Sequence, residues 1–179
     1  MNIKSLNEEI EKFLNETENN NSGSSFFDKW KTAPTIKLEP DKEWSKISNL
    51  KELRGIVKRY LLDVMRKTSL ERKEIGKIRF SDKSIDEYIS FSADKDKLLA
   101  AKQIPQFIQE GILGDYFTSP KDRTKKDTIT GFYPIYFNLE TQEKIKKLEI
   151  LIGKDENGHL FFDMFIDYDR DKAQLKKGF

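Results

Sequence analysis

Four basic side chains crowd residues 118–130 (TSPKDRTKKDTIT): Lys121, Arg123, Lys125 and Lys126. Between two apolar stretches this reads as an exposed loop, suited equally to closing on an RNA backbone or to plain solvation. Lys77 and Arg79 alternate with Ile78 and Phe80, the period of a half-buried strand, so they point away from the core. Lys83 and Ser84 open the next helical stretch, where free N–H groups can meet a phosphate or simply be capped. Together these residues suit contact with a phosphate backbone. Metal-independent cleavage of such a backbone in RNA would further need a base for the 2′-OH proton, a cation for the phosphate and an acid for the leaving oxygen. Imidazole usually serves as base and acid, and a Lys, Tyr, Glu or Asp can replace it. Tyr133 and Tyr136 have opposite strand parity, so only one can face the core. The outward one could act as an acid or stack a base, and Tyr133 is the candidate; ordinary sheet packing is the alternative.

Other chemistry is excluded by count. The chain has one His and no Cys in 179 residues. That rules out disulfides, thiolate nucleophiles, Cys-ligated zinc and iron–sulfur clusters. A His-based pair could use only His159, which follows Asn157-Gly158 and reads as an exposed hairpin end. No Gly-rich phosphate loop or metal-ligand cluster is visible. Asp167, Asp169 and Asp171 alternate, but without the Gly turn and closing Glu of a calcium loop. No metal or cofactor is therefore expected.

Charged residues make up 36% of the chain, and the net charge is only +2. The balance is uneven: residues 41–83 hold 13 basic and 7 acidic side chains. That block is either a solvated helix face or a phosphate-facing surface. No apolar run is long enough to span a membrane, and the N-terminus lacks the pattern of a signal peptide. With no Cys, the expectation is a cytoplasmic protein without membrane contact.

These groups need elements to hold them. Residues 2–15 have the spacing of a short amphipathic helix, 15–25 read as a flexible linker, and Phe26, Phe27 and Trp30 form an aromatic island. Residues 1–40 are thus an N-terminal arm, 41–170 the folded domain and 171–179 a charged tail. Asn49 can cap a helix carrying Leu50, Leu53, Ile56, Val57, Tyr60, Leu61 and Val64 on one side. Short helices are expected around Ile85–Ile89 and from Asp94 to Gly111. Strands are expected at Leu113–Phe117, Phe132–Leu139, Ile145–Ile152 and Leu160–Ile166, the last two joined through Asn157-Gly158. Helices followed by consecutive strands predict an α+β fold. Its helices would pack on one face of a mostly antiparallel four-stranded sheet, with an extended N-terminal arm.

A family resemblance rests on several stretches in order. They are Gly76-Lys-Ile-Arg-Phe-Ser81, Lys83-Ser-Ile, Ile89-Ser-Phe-Ser-Ala93, Lys97-Leu-Leu-Ala-Ala101, Ile104-Pro-Gln-Phe-Ile108 and Gly158-His-Leu-Phe-Phe-Asp163. Across roughly residues 75–165 the chain resembles the third of the large polyvalent protein-associated domain families. These occur in polyvalent proteins of phages and other mobile elements. They are grouped with the nuclease-like folds of the barnase–EndoU–colicin–RelE superfamily. The resemblance implies the same α+β architecture and a ribonuclease-like effector or toxin activity. It adds Ser92, within Ile-Ser-x-Ser-Ala, and Asp163, which could orient a base, to the candidate set. Backbone capping before Asp94 and a polar strand position are their plainer roles. The family pattern carries a His where this chain has Phe91, which leaves open a His-free mechanism or lost catalysis. The reading is thus a metal-independent ribonuclease with RNA as partner. The alternative is a non-catalytic RNA- or protein-binding module on the same fold. Residues 1–40 are available to an antitoxin or other neutralising protein.

Overall fold

The computed structural model describes residues 28–90, 94–118 and 128–168. The expected helix at 2–15, the linker at 15–25, Phe26, Phe27 and the tail at 171–179 lie outside the described residues. In chain order the elements are α1 (Asp28–Thr32), β1 (Thr35–Lys37), α2 (Lys42–Ser45), α3 (Leu50–Asp63), β2 (Leu70–Arg72), β3 (Gly76–Arg79), α4 (Asp82–Ser90), α5 (Lys95–Leu99), α6 (Ile104–Glu110), β4 (Ile112–Leu113), β5 (Phe117–Thr118), β6 (Ile129–Glu140), β7 (Ile145–Asp155) and β8 (Leu160–Asp167).

The class is α+β, but the expected sheet is corrected. Instead of four mostly antiparallel strands, eight strands form one mixed, strongly curled sheet in the order β1-β6-β7-β8-β3-β2, with β4 and β5 also on β6. β1 runs parallel to β6 and β3 parallel to β8. The additional strands are short. β1 and β2 have three residues each, too few for any alternation to register. The single strand expected at Leu113–Phe117 is two, broken over residues 114–116, and both pair with β6. β1, β4 and β5 thus tile one edge of β6 while β7 occupies the other. Two register irregularities, at Ile129/Gly131 and at Leu151/Ile152, add local twist and help the sheet curl.

Local chemistry explains the long elements. Asn49 caps α3 by accepting the Glu52 N–H at 3.0 Å. Leu53, Val57 and Leu61 recur on one face of α3 and are fully buried. They join Ile85, Phe107 and Ile108 against Ile135, Phe137, Ile150, Ile152 and Phe162 of the sheet. Phe107 stacks on Phe137 at 4.4 Å and Phe80 on Phe162 at 4.8 Å. Gly131 is bare because a Cβ there would lie 2.4 Å from the Phe117 carbonyl, so β5 could not close on β6.

The second face of the sheet also carries apolar clusters. Phe132, Leu151, Met164 and Ile166 form one, and Trp30, Ala33, Tyr136 and Tyr168 another. Trp30, grouped by sequence with a partner-binding arm, is only 3% exposed. Its indole N–H donates to the Leu148 carbonyl at 3.2 Å, and the Asn138 amide donates to the Trp30 carbonyl at 2.8 Å. Residues 28–37 are therefore built into the sheet.

Candidate nucleic-acid interface

Parallel pairing of β3 with β8 decides which side chains meet. Ile78 pairs with Leu160 and Arg79 with Phe161, with Ile78 and Leu160 in the main core. Alternation then puts Lys77, Arg79, His159 and Phe161 on the opposite, outer face. Lys77, Arg79 and His159 are exposed and Phe161 is half-buried. On the other flank of β8, Phe161 pairs with Gly153, which presents no side chain. Asp163 falls at the β8 irregularity, and its Cβ is 3.7 Å from where a Gly153 Cβ would be, so it shares this face.

The β7–β8 turn fixes the imidazole. Gly158 adopts φ +81, the left-handed conformation favoured by Asn-Gly turns. One Asp155 carboxylate oxygen accepts the Asn157 and His159 backbone N–H groups at 2.9 and 2.8 Å. The other lies 3.2 Å from His159 Nδ1. Burial alone would raise the Asp155 pKa. The His159 and Asn157 N–H groups and the imidazole outweigh it and hold the carboxyl below its ordinary range. An ionised carboxylate on Nδ1 fixes that nitrogen as the protonated one and leaves Nε2 as the free site. The His159 side chain is 46% exposed. From sequence His159 reads as a plain hairpin end, and Asp155 carries no mark of its own beyond the Asp-x-Asn-Gly-His spacing that joins the two.

The other candidates are dispersed. Lys83 is exposed in the first turn of α4, on the helix-covered side, where the Ser81 hydroxyl accepts the Ser84 N–H at 3.1 Å. Tyr133 faces the main core, its ring 5.0 Å from that of Tyr116. Tyr136 has the outward parity but is 1% exposed under Trp30, so neither tyrosine is an exposed outer-face ring. Lys121, Arg123, Lys125 and Lys126 lie outside the described residues, as do Phe91 and Ser92. The flanks of the basic segment are described: Thr118 pairs with Gly131, and the Thr128 carbonyl accepts the Glu156 N–H at 3.2 Å, beside the His159 turn.

Asp94, just after the Ser92 stretch, belongs to a different cluster. One of its oxygens caps α5 through the Asp96 N–H at 2.8 Å, and the other meets the Lys146 ammonium. Lys146 also lies 3.4 Å from Asp96 and 3.9 Å from Asp167. Burial opposes its charge, but the three carboxylates prevail and raise its pKa. Along β7, Lys146 and Asp155 are ~30 Å apart at the usual strand rise. This cluster and the His159 face are therefore separate.

Among the described residues no group of three His, Cys, Asp or Glu side chains is placed to hold a metal ion, and no helix is long and apolar enough to cross a membrane. No curated protein and no solved structure matches the chain. Residues 48–165 match the family described as large polyvalent protein-associated domain 3. The match spans well over half of the chain, from just before α3 through most of β8, and takes in the whole outer-face cluster. The chain belongs to the large polyvalent protein-associated domain 3 family.

Proposed function

We propose that this chain acts on RNA as a metal-independent endoribonuclease, with the outer face at the β7–β8 turn as its site. The observation that carries the reading is the His159–Asp155 pair, set in register beside Lys77 and Arg79. An imidazole with Nδ1 held by a carboxylate can take or return a proton through Nε2. Attack of the 2′-oxygen forms a bond to phosphorus, and the bond from phosphorus to the 5′-oxygen breaks. The 2′ proton goes to a base and a proton from an acid goes to the leaving oxygen. His159 covers one transfer, and Asp163 is the candidate for the other. Arg79 and Lys77 offset the charge gathering on the phosphate. Glu71 lies opposite Lys77 on β2 and lessens its field, so Arg79 is the stronger contributor.

The products would be a 2′,3′-cyclic phosphate and a 5′-hydroxyl. The test is cleavage of unstructured RNA in excess EDTA by the parent chain, Arg79→Ala and Asp155→Asn. Both variants should be slowed at least tenfold. The second reading, RNA binding without turnover, draws on Phe91, which stands where the resemblance implies a His. Salt-sensitive binding with intact RNA would favour it.

A further inference from the structure

Most aromatic rings among the described residues belong to an apolar cluster; Phe161 and Tyr116 do not. Tyr116 is accounted for by its hydroxyl contact with Thr130, its ring contact with Tyr133 and the Lys154 ammonium over its face. Phe161 has no polar atom to satisfy. Its neighbouring ring is His159, met edge-on at 6.5 Å between centres. Across β3 its partner is Arg79 and across β7 it is Gly153. Phe161 is half-buried on the outer sheet face, so part of its ring stays open to solvent between Arg79 and the bare Gly153.

We infer that Phe161 is a base-stacking platform and that the substrate is single-stranded RNA, one nucleobase lying on the phenyl ring while its phosphate meets Arg79 and His159. This inference rests on the proposed action on RNA. A strand surface offers a ring to an unpaired base, whereas duplex RNA keeps its bases stacked internally and is read by shape. The ring and the imidazole are within about one nucleotide of each other, so a base on Phe161 would place an adjoining phosphodiester at Nε2. Stacking tolerates any base, so the site would be strand-selective with little sequence preference.

The experiment uses the full chain with His159→Gln to prevent turnover. It compares binding of a labelled single-stranded decamer with binding of the same sequence in a hairpin duplex. Single strand should bind at least tenfold more tightly. Phe161→Leu keeps apolar bulk but removes the ring, and should weaken single-strand binding about 5- to 150-fold, with little change for duplex. Phe161→Tyr should restore it. Equal affinity for the two forms, or unchanged single-strand affinity in Phe161→Leu, overturns the inference. If Arg79→Ala still weakens both forms, action on RNA survives and only the platform is lost. Absence of binding to either form overturns both readings.

Discussion

Glu149→Gln tests how tightly the arm closes the outer sheet face. Glu149 is 1% exposed, and neither carboxylate oxygen closes a well-formed hydrogen bond. Its register partners are Tyr136 on β6 and Ile166 on β8. The Trp30 ring reaches across from Tyr136, 5.1 Å away, to the Leu148 carbonyl. Desolvation dominates, and the Lys29 ammonium and Tyr136 hydroxyl only partly relieve it, so the carboxyl is pushed up from 4.5 to about 8. The native state therefore holds a proton that the unfolded chain has released between those pH values. Its stability falls as pH rises through that window, at about 1.4 kcal/mol per pH unit and up to about 5 kcal/mol in all. Below the window both states are protonated, and above it both are ionised, so the contribution is flat on either side. Gln has no proton to lose. In urea unfolding followed by tryptophan fluorescence, Glu149→Gln should match the parent within about 1 kcal/mol near pH 5. It should exceed the parent by several kcal/mol at pH 9. Parallel pH profiles for the two proteins would mean that Glu149 ionises as readily in the folded chain as in the unfolded one, against this expectation.

Lys146→Met removes the buried cation shared by the Asp94, Asp96 and Asp167 carboxylates and should cost about 3–5 kcal/mol in the same unfolding assay. A loss below about 1 kcal/mol would show that the cluster behaves like exposed ion pairs. Gly55 sits in the middle of α3, exposed, with nothing within 4 Å of where a Cβ would be, so Gly55→Ala should stabilise the fold by about 0.5–1 kcal/mol and raise the melting temperature. Asn49→Ala removes the α3 cap and should lower stability by about 1 kcal/mol, measurable as a fall in the urea midpoint.

The long elements were legible because their periodicity is long. The Asn49 cap and the buried Leu53, Val57 and Leu61 of α3 stand in the structure as the spacing predicts, whereas Val64, expected on the same stripe, is the residue that ends the helix and lies exposed. Strands β6, β7 and β8 and their Asn-Gly hairpin do as well. The sheet's true extent was not legible. Thr35–Lys37 and Leu70–Arg72 are strands only because β6 and β3 offer them edges, and no local pattern encodes that. The outward positions of Lys77 and Arg79 follow from alternation, whereas their meeting with His159 depends on a parallel register between strands about eighty residues apart in sequence. Tyr136 shows the opposite failure. Parity puts it outward, but Trp30 from the arm buries it, so parity alone does not give exposure.

Product-end analysis of RNA cleavage separates catalysis at the His159 face from RNA binding without turnover. Single-stranded RNA would be incubated in EDTA with the parent chain and with His159→Gln. The parent should give 2′,3′-cyclic phosphate and 5′-hydroxyl ends, and the variant a rate at least a hundredfold lower. Intact RNA at micromolar protein, or cleavage by His159→Gln at the parent rate, would contradict catalysis at this face.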